Sequence, residues 1–458
     1  MVNQRAGSAV AAAALTELRT QVRGVLAPGD DGYEAARRIW NGMIDRRPAV
    51  IARCAGVADV MAAVRFAREE GLPIAVRGGG HGVAGRAVCD DGIVIDLSPM
   101  KGIWVDPAAR TARAQAGVLW GEFDRETQAF GLATTGGVVS TTGIAGLTLA
   151  GGFGWLMRKH GLTIDNLRSV DLVTADGELL RNSEREHPDL FWGVRGAGAN
   201  FGIVTSFDYQ LHPLGPTVIG GMVLHPFEQA GTVLRFYREF TAGAPDELTT
   251  YAGLLTSPEG AKLAAIVVCY AGPLAAGEVA VRPIRSFGTP VADLIGPIPY
   301  VAQQMLFNAA FPTGRHYYEK SCFLRELSDA AIDTLVDGFA RVPSPHSQVI
   351  IEQHGGAIRR VPEDGTAFPH RAPEYNLILP ASWTDPADTA VNVQWARELY
   401  TAMQPFATDG YYINYMADVE SEERARAAYG DNYARLAALK ATYDPANLFR
   451  LNHNIPPV

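Results

Sequence analysis

Apolar and polar positions follow two different periods in the first part of the chain. Residues 49–53 are apolar in the manner of a strand, and within residues 57–70 Val57, Val60, Met61 and Val64 fall three and four apart, the spacing of one helix face. A second apolar run, Leu72-Pro-Ile-Ala-Val76, follows directly, so strand, helix and strand form one α/β unit. The pattern then shortens to hairpin-like strands over residues 92–97, 103–105 and 111–115, followed by a helix over 120–130. Residues 166–181 alternate around Asp176-Gly177, a hairpin turn signal, and residues 203–207 read as another strand. This half is mixed α+β and lacks the rhythm of a regular doubly wound sheet.

Near residues 213–216 the texture changes. From residue 218 to about 403, strand-like runs at 263–270 and 348–352 stand among helical segments at 227–240, 329–341 and 389–403. Strands and helices without a βαβ rhythm predict an antiparallel sheet with helices on one face. Tyr317, Tyr318, Glu352, His354, His370, Tyr375 and Trp383 fall in this region and make it the better candidate for shaping a pocket. The tail holds Tyr411-Tyr-Ile-Asn-Tyr-Met416, a helix predicted around 420–442, then Tyr443-Asp-Pro and Asn452-His-Asn454. There is no internal repeat or low-complexity linker.

The strand ending at Val76 runs into Arg77-Gly-Gly-Gly-His-Gly-Val-Ala-Gly85. Consecutive glycines let the backbone turn sharply and point several amides at one anion, such as a diphosphate. His81, at the edge of that cradle, fits a nucleophile, a ligand or a buried structural group. Residues 136–154 are again dense in glycine, with hydroxyls at Ser140, Thr141 and Thr142. Each glycine weakens a regular element by roughly 0.5–1 kcal/mol relative to alanine, so such density points to room made for a ligand. Gly196-Ala-Gly198 with Gly202 mimics a dinucleotide fingerprint, but a strand rather than a helix follows it, which excludes a nicotinamide-type site there.

Composition narrows the field further. A chain of 458 residues implies two or three domains, and 47% hydrophobic with 19% charged residues is an ordinary globular mix. A net charge of −9 without a Lys/Arg block argues against nucleic acid and for a small neutral or cationic substrate. Cys54, Cys89, Cys269 and Cys322 have no metal-type spacing, which predicts free buried thiols and no metal site. No apolar run is long enough to span a bilayer, so no membrane partner is expected. The Ala-rich piece at 9–15 has the length of a signal-peptide core but is weakly hydrophobic and continues as an amphipathic helix through 17–23; the expected location is the cytoplasm, as monomer or homodimer.

Taken together, Arg77-Gly-Gly-Gly-His81, Gly143-Ile-Ala-Gly146 with Gly151-Gly-Phe-Gly154, Trp192-Gly-Val-Arg-Gly-Ala-Gly-Ala-Asn-Phe-Gly202, Tyr443-Asp-Pro and Asn452-His-Asn454 resemble, in order and over nearly the whole chain, the FAD-linked oxidases of the berberine bridge enzyme type within the vanillyl-alcohol oxidase superfamily. The resemblance implies an α+β, two-domain fold. Residues 1–215 and 406–458 would form the FAD-binding domain, and residues 216–405 the substrate domain. It also implies FAD held by Arg77, Gly78, Gly79, Gly80, His81, Gly82 and Gly85, by Val139, Ser140, Thr142, Gly143, Gly146 and Gly151, by Gly202, Ile203 and Val204, and by Asn414, Asn452 and Asn454. Many relatives attach the flavin twice, through a histidine and a cysteine. Here Val139 begins the corresponding run and cannot form a thioether, so attachment through His81 only is expected, as in hydroxynicotine oxidase-like members. Thr142, before Gly143, occupies the position the family links to oxygen access.

The resemblance assigns the catalytic base to Tyr415 of Asn414-Tyr415. A phenol with a pKa near 10 serves as a base only where its surroundings lower that value, and a tyrosine packed between domains is an equal reading. Glu352 and His354 lie two apart on a predicted strand, hence on one side, and are further candidates for positioning substrate. The activity expected is removal of a hydride from a C–H bond of a small alcohol, amine, sugar or aromatic metabolite, with molecular oxygen reduced to hydrogen peroxide. A dehydrogenase with another acceptor and a non-catalytic flavin-binding protein are the alternatives.

Overall fold

The computed structural model describes residues 10–417 and 422–458; Ala9, and Glu420 and Ser421 at the start of the predicted C-terminal helix, lie outside the described residues. The first helix, Ala12–Gln21, sets Leu18 into the core. Strands Val50–Arg53 and Ile74–Arg77 flank Ile93–Asp96, both parallel to it, with Ile51 and Ala75 each level with Val94. Helix Val57–Glu69 connects Val50–Arg53 to Ile74–Arg77 and buries Val60 and Val64. The sequence pattern places residues 92–97 in a hairpin; the structure sets them between two parallel neighbours in a four-stranded sheet whose short edge strand, Val25–Leu26, pairs antiparallel with Val50–Arg53. All four residues of Ile93–Asp96 are buried, the continuous burial of a strand covered on both faces.

The hairpin signal does hold for Ile103–Asp106 with Thr111–Gln115 and for Leu167–Val173 with Leu179–Ser183. Strand Ile203–Gln210 joins the two pairs into a five-stranded antiparallel sheet. One core gathers side chains from Leu18 to Leu211 and, from the tail, Tyr429, Tyr433, Leu436, Phe449 and Ile455. The buried Asp444 carboxylate fastens that tail. It accepts from the Leu448 and Phe449 amides and from Lys440, whose ammonium also donates to the Asn200 carbonyl. The tail helix is two helices, Glu422–Tyr429 and Tyr433–Tyr443, because Gly430 takes a φ of +49° and interrupts the run.

The middle of the chain forms a large antiparallel sheet. Its order is Ala292–Asp293, Thr217–Pro226, Lys262–Tyr270, Leu248–Thr256, Val349–Gln353, Tyr375–Trp383 and His316–Leu324, with Gly296–Pro299 also on Thr217–Pro226. Helices Ala230–Thr241, Leu274–Arg285, Asp329–Ala340 and Thr389–Met403 cover one face, where Tyr318, Tyr375 and Trp383 are buried. The opposite face carries Tyr251, Val267, Cys269 and Phe323 against Phe153, Trp155 and Tyr412. All four cysteines are buried and unbridged. Among the described residues no helix is long and apolar enough to cross a membrane.

Candidate active site

A cavity of about 360 Å³ lies between the glycine loops and the uncovered face of the large sheet. Its glycine wall begins where strand Ile74–Arg77 ends. Gly79 and Gly143 run backbone against backbone: a Cβ on Gly79 would stand 2.5 Å from the Gly143 nitrogen, and one on Gly143 would stand 2.4 Å from the Gly79 nitrogen. Gly80 has a φ of +66°, which turns the loop toward the cavity. Among the described residues, no amide from 78 to 82 donates to a protein acceptor. A row of unspent N–H groups is a ready cradle for a diphosphate.

His81 stands at the end of that row. Its ring stacks on Trp40 with centroids 4.3 Å apart, and Trp40 stacks in turn on Tyr317 at 3.7 Å. The Trp40 indole N–H donates to the Phe311 carbonyl, and the Tyr317 hydroxyl to that of Pro312, so both plates are fixed at their edges. His81 Nε2 is buried without a partner. Burial also lowers the imidazole pKa to about 4, which keeps the ring neutral and its lone pair available near pH 7.

The remaining positions assigned to the cofactor divide. Gly78, Gly79, Gly80, His81, Gly82, Val139, Thr142, Gly143, Gly146, Gly202, Ile203, Val204, Asn414 and Asn452 line the cavity. Arg77, Gly85, Ser140, Gly151 and Asn454 do not. Arg77 donates to the Ala36 carbonyl, Gly85 packs on Ile44, the Ser140 hydroxyl accepts from Asn308 at 2.7 Å, and Gly151 abuts Phe368. These four support the walls from behind. The buried Asn454 Oδ1 has no partner.

Across the cavity, strand pairing sets Tyr251, Glu352 and Asn376 in one row of the large sheet. Glu352 is buried, with Oε2 accepting from the Asn376 amide at 2.7 Å and Oε1 accepting from the Tyr415 hydroxyl at 3.3 Å. Burial raises the Glu352 pKa to about 7, against the opposing pull of Asn376 and Tyr415. Tyr415 sits on the turn Ile413–Tyr415 and packs edge-on to Tyr412 at 4.8 Å. The lowered pKa that a tyrosine base requires is not found. Burial first, then Glu352 and the neighbouring tyrosines, push the Tyr415 phenol well above its usual range, so it stays protonated and donates. The Tyr412 hydroxyl accepts from Asn414 at 2.8 Å and from the Gly152 amide at 3.1 Å, which ties the turn to the second glycine stretch.

His354 is corrected. Its ring lies edge-on to Phe153 at 4.6 Å and to Phe323 at 5.8 Å, and it does not line the cavity. Burial holds it neutral, with a pKa lowered to about 3, so it serves as packing. Of the other polar and aromatic candidates, Tyr318, Tyr375 and Trp383 point to the helix side of the sheet. Sequence reasoning passed over Trp40, Tyr251, Asn200, Tyr412 and Glu319, all on the cavity wall. A signal existed for Glu319: in strand His316–Leu324, Tyr317, Glu319, Ser321 and Phe323 share a face, and a carboxylate there breaks the expected apolar alternation.

Comparison with known proteins agrees with this geometry. Residues 48–183 match an FAD binding domain family, and residues 411–456 match the berberine and berberine-like family. The (R)-6-hydroxynicotine oxidase of Paenarthrobacter nicotinovorans is 34% identical over 94% of this chain and 96% of its own length. An FAD-linked oxidoreductase of Dictyostelium discoideum is 33% identical over 100% and 99%. Among solved structures, 6-hydroxy-D-nicotine oxidase from Arthrobacter nicotinovorans superposes with a TM-score of 0.88 at 32% identity, covering 95% of this chain and 98% of that one. A chitooligosaccharide oxidase superposes with a TM-score of 0.85 at 26% identity, covering 97% and 99%.

Proposed function

The chain belongs to the berberine-type FAD-linked oxidoreductases, and from that premise we propose that it is an oxidase whose FAD is bonded covalently through His81 alone and whose catalytic base is Glu352. The observation that carries the proposal is the cavity that joins two groups, a neutral, unpartnered imidazole at one side and a buried carboxyl near neutral pKa at the other.

When bound, FAD supplies acceptance of a hydride from a substrate C–H bond and delivery of two electrons to an acceptor, here molecular oxygen, which yields hydrogen peroxide. The protein does the rest. The unspent amides of residues 78–82 would hold the diphosphate. Glu352, ionised, accepts the O–H or N–H proton of the substrate as the hydride leaves the adjacent carbon. Its pKa near 7 matches that task, because a base is most effective when its pKa lies close to the working pH. Tyr415 donates to the same carboxyl and orients it, and Asn376 fixes the other oxygen. Phe153, Tyr251, Phe307 and Ile350 close the apolar part of the wall, which excludes water and favours a small apolar or aromatic substrate body.

The test is turnover under air with a panel of alcohols, amines, sugars and phenolics, measuring oxygen consumed and peroxide released together. Equal amounts of both are expected for the true substrate class. Anaerobic bleaching of the flavin without peroxide formation in air would assign the dehydrogenase alternative.

A further inference from the structure

The cavity floor carries a second carboxyl that the reaction as described leaves without work. Glu319 is only 8% exposed, lines the cavity, and has no hydrogen bond or ion pair among the described residues. The sequence neighbour able to pair with it points away: Lys320 lies on the opposite face of the strand, over the rings of Tyr318 and Tyr400. Ser321, next on Glu319's own face, has a buried hydroxyl that is likewise unpartnered. A buried carboxyl without a partner is destabilising, and one kept against a ligand cavity awaits a donor or a cation from the ligand.

Strand register sets the backbone row of Glu319 relative to that of the proposed base. Glu352 is level with Asn376, and Glu319 is level with Pro380, four residues further along the same strand. At about 3.3 Å per residue the two rows are about 13 Å apart along the sheet. Ile350 and Ile378, level with each other, supply an apolar floor between them, and Pro380 continues it beside Glu319. A ligand lying on that floor, with its reacting carbon at Glu352, extends its far end toward Glu319.

We propose that Glu319 is a specificity-determining residue that recognises a protonated amine at the end of the substrate remote from the oxidised carbon, so that the natural substrate is an apolar or aromatic molecule carrying a cationic nitrogen. This rests on the oxidase reading of the same cavity and adds the substrate class to it. Burial, and then the Glu352 charge, raise the Glu319 pKa to about 8, so without a cation beside it the carboxyl keeps its proton, and a cationic nitrogen draws it into the ionised form. A cationic nitrogen supplies the charge-assisted hydrogen bond that the site lacks, and its apolar body covers Ile350, Ile378 and Pro380.

The experiment is titration of the flavin-loaded protein with 4-phenylbutylamine and its neutral counterpart 4-phenylbutan-1-ol, following the visible flavin spectrum. The wild type binds the amine about tenfold more tightly or better, Glu319→Gln abolishes that preference, and Glu319→Asp keeps a part of it. The flavin spectrum of each variant reports whether the protein has folded and loaded, so Glu319→Asp carries the test if Glu319→Gln does not load. Equal binding of the two probes by the wild type, or an unchanged ratio in a loaded Glu319→Gln, overturns the proposal. So does a Glu319→Gln defect confined to covalent flavin incorporation. A protein that carries no flavin would instead overturn the oxidase reading beneath it.

Discussion

The Tyr415 hydroxyl donates to Glu352 Oε1 across 3.3 Å, while Asn376 holds Oε2 at 2.7 Å. The two residues are 63 positions apart in sequence and come from a turn and a strand, yet together they make one proton-handling unit. Within it the carboxyl is the group that can ionise near neutral pH and the phenol is the group that cannot. Glu352→Gln should therefore lower kcat by roughly 10²–10⁴-fold with flavin content unchanged, the usual worth of a general base. Tyr415→Phe keeps the carboxyl but removes its donor, and should cost less. Stopped-flow flavin reduction under nitrogen checks both.

The pH dependence follows from the same pair. Glu352 acts in its ionised form, so kcat/KM should rise with pH through about 7 and flatten above it, and this limb should vanish in Glu352→Gln. Stability changes in the opposite sense. A carboxyl whose pKa is raised on folding binds its proton more tightly in the native state, so its burial costs nothing below the unfolded value near 4.5 and most above about 7. Glu352→Gln should raise Tm at pH 8.5 and leave it nearly unchanged at pH 4.5.

Two glycines separate packing from ligand room. A methyl on Gly79 meets the Gly143 backbone at 2.5 Å, so Gly79→Ala should destabilise the protein with or without flavin. A methyl on Gly146 meets no protein atom within 4 Å, yet the residue lines the cavity. Gly146→Ala, inside the short helix Ile144–Leu149, should leave the Tm of flavin-free protein unchanged or slightly higher, alanine being the better helix former, and weaken FAD binding, as read by thermal shift against added FAD.

The His81, Trp40 and Tyr317 stack makes a further prediction. Removing a buried Trp typically costs about 3–5 kcal/mol, but here the ring also holds the imidazole plane. Trp40→Ala should lower both Tm and the covalently bound flavin fraction, whereas Trp40→Phe should restore stability more than attachment. Denaturing gels scanned for flavin fluorescence, beside total flavin absorbance, distinguish the two effects.

How much of this was legible in the sequence depends on how local each signal is. The glycine loop with His81, the helix Thr389–Met403 and the hairpin around Asp176-Gly177 rest on short-range chemistry and were readable. The parallel pairing of Ile93–Asp96 was not, because a run buried on both faces carries no period that tells which neighbours it takes. The ionisation of Tyr415 was equally out of reach. It depends first on burial, then on Glu352, on the neighbouring Tyr412 and on Tyr251, and strand pairing brings Glu352 and Tyr251 beside it from elsewhere in the chain. His354 shows the opposite failure: its spacing from Glu352 suggests a shared site, but its ring packs on Phe153 and Phe323 and does not line the cavity.

The most direct test of the central claim is the flavin itself, measured in purified wild type and His81→Ala by visible absorbance, acid precipitation and in-gel fluorescence of the denatured chain. The account predicts a yellow wild type whose flavin stays with the precipitate and lights the protein band, and a His81→Ala protein whose flavin, if retained at all, is released to the supernatant. A wild type that releases its flavin on denaturation would contradict the covalent role of His81, and a colourless wild type would contradict the flavin site as a whole.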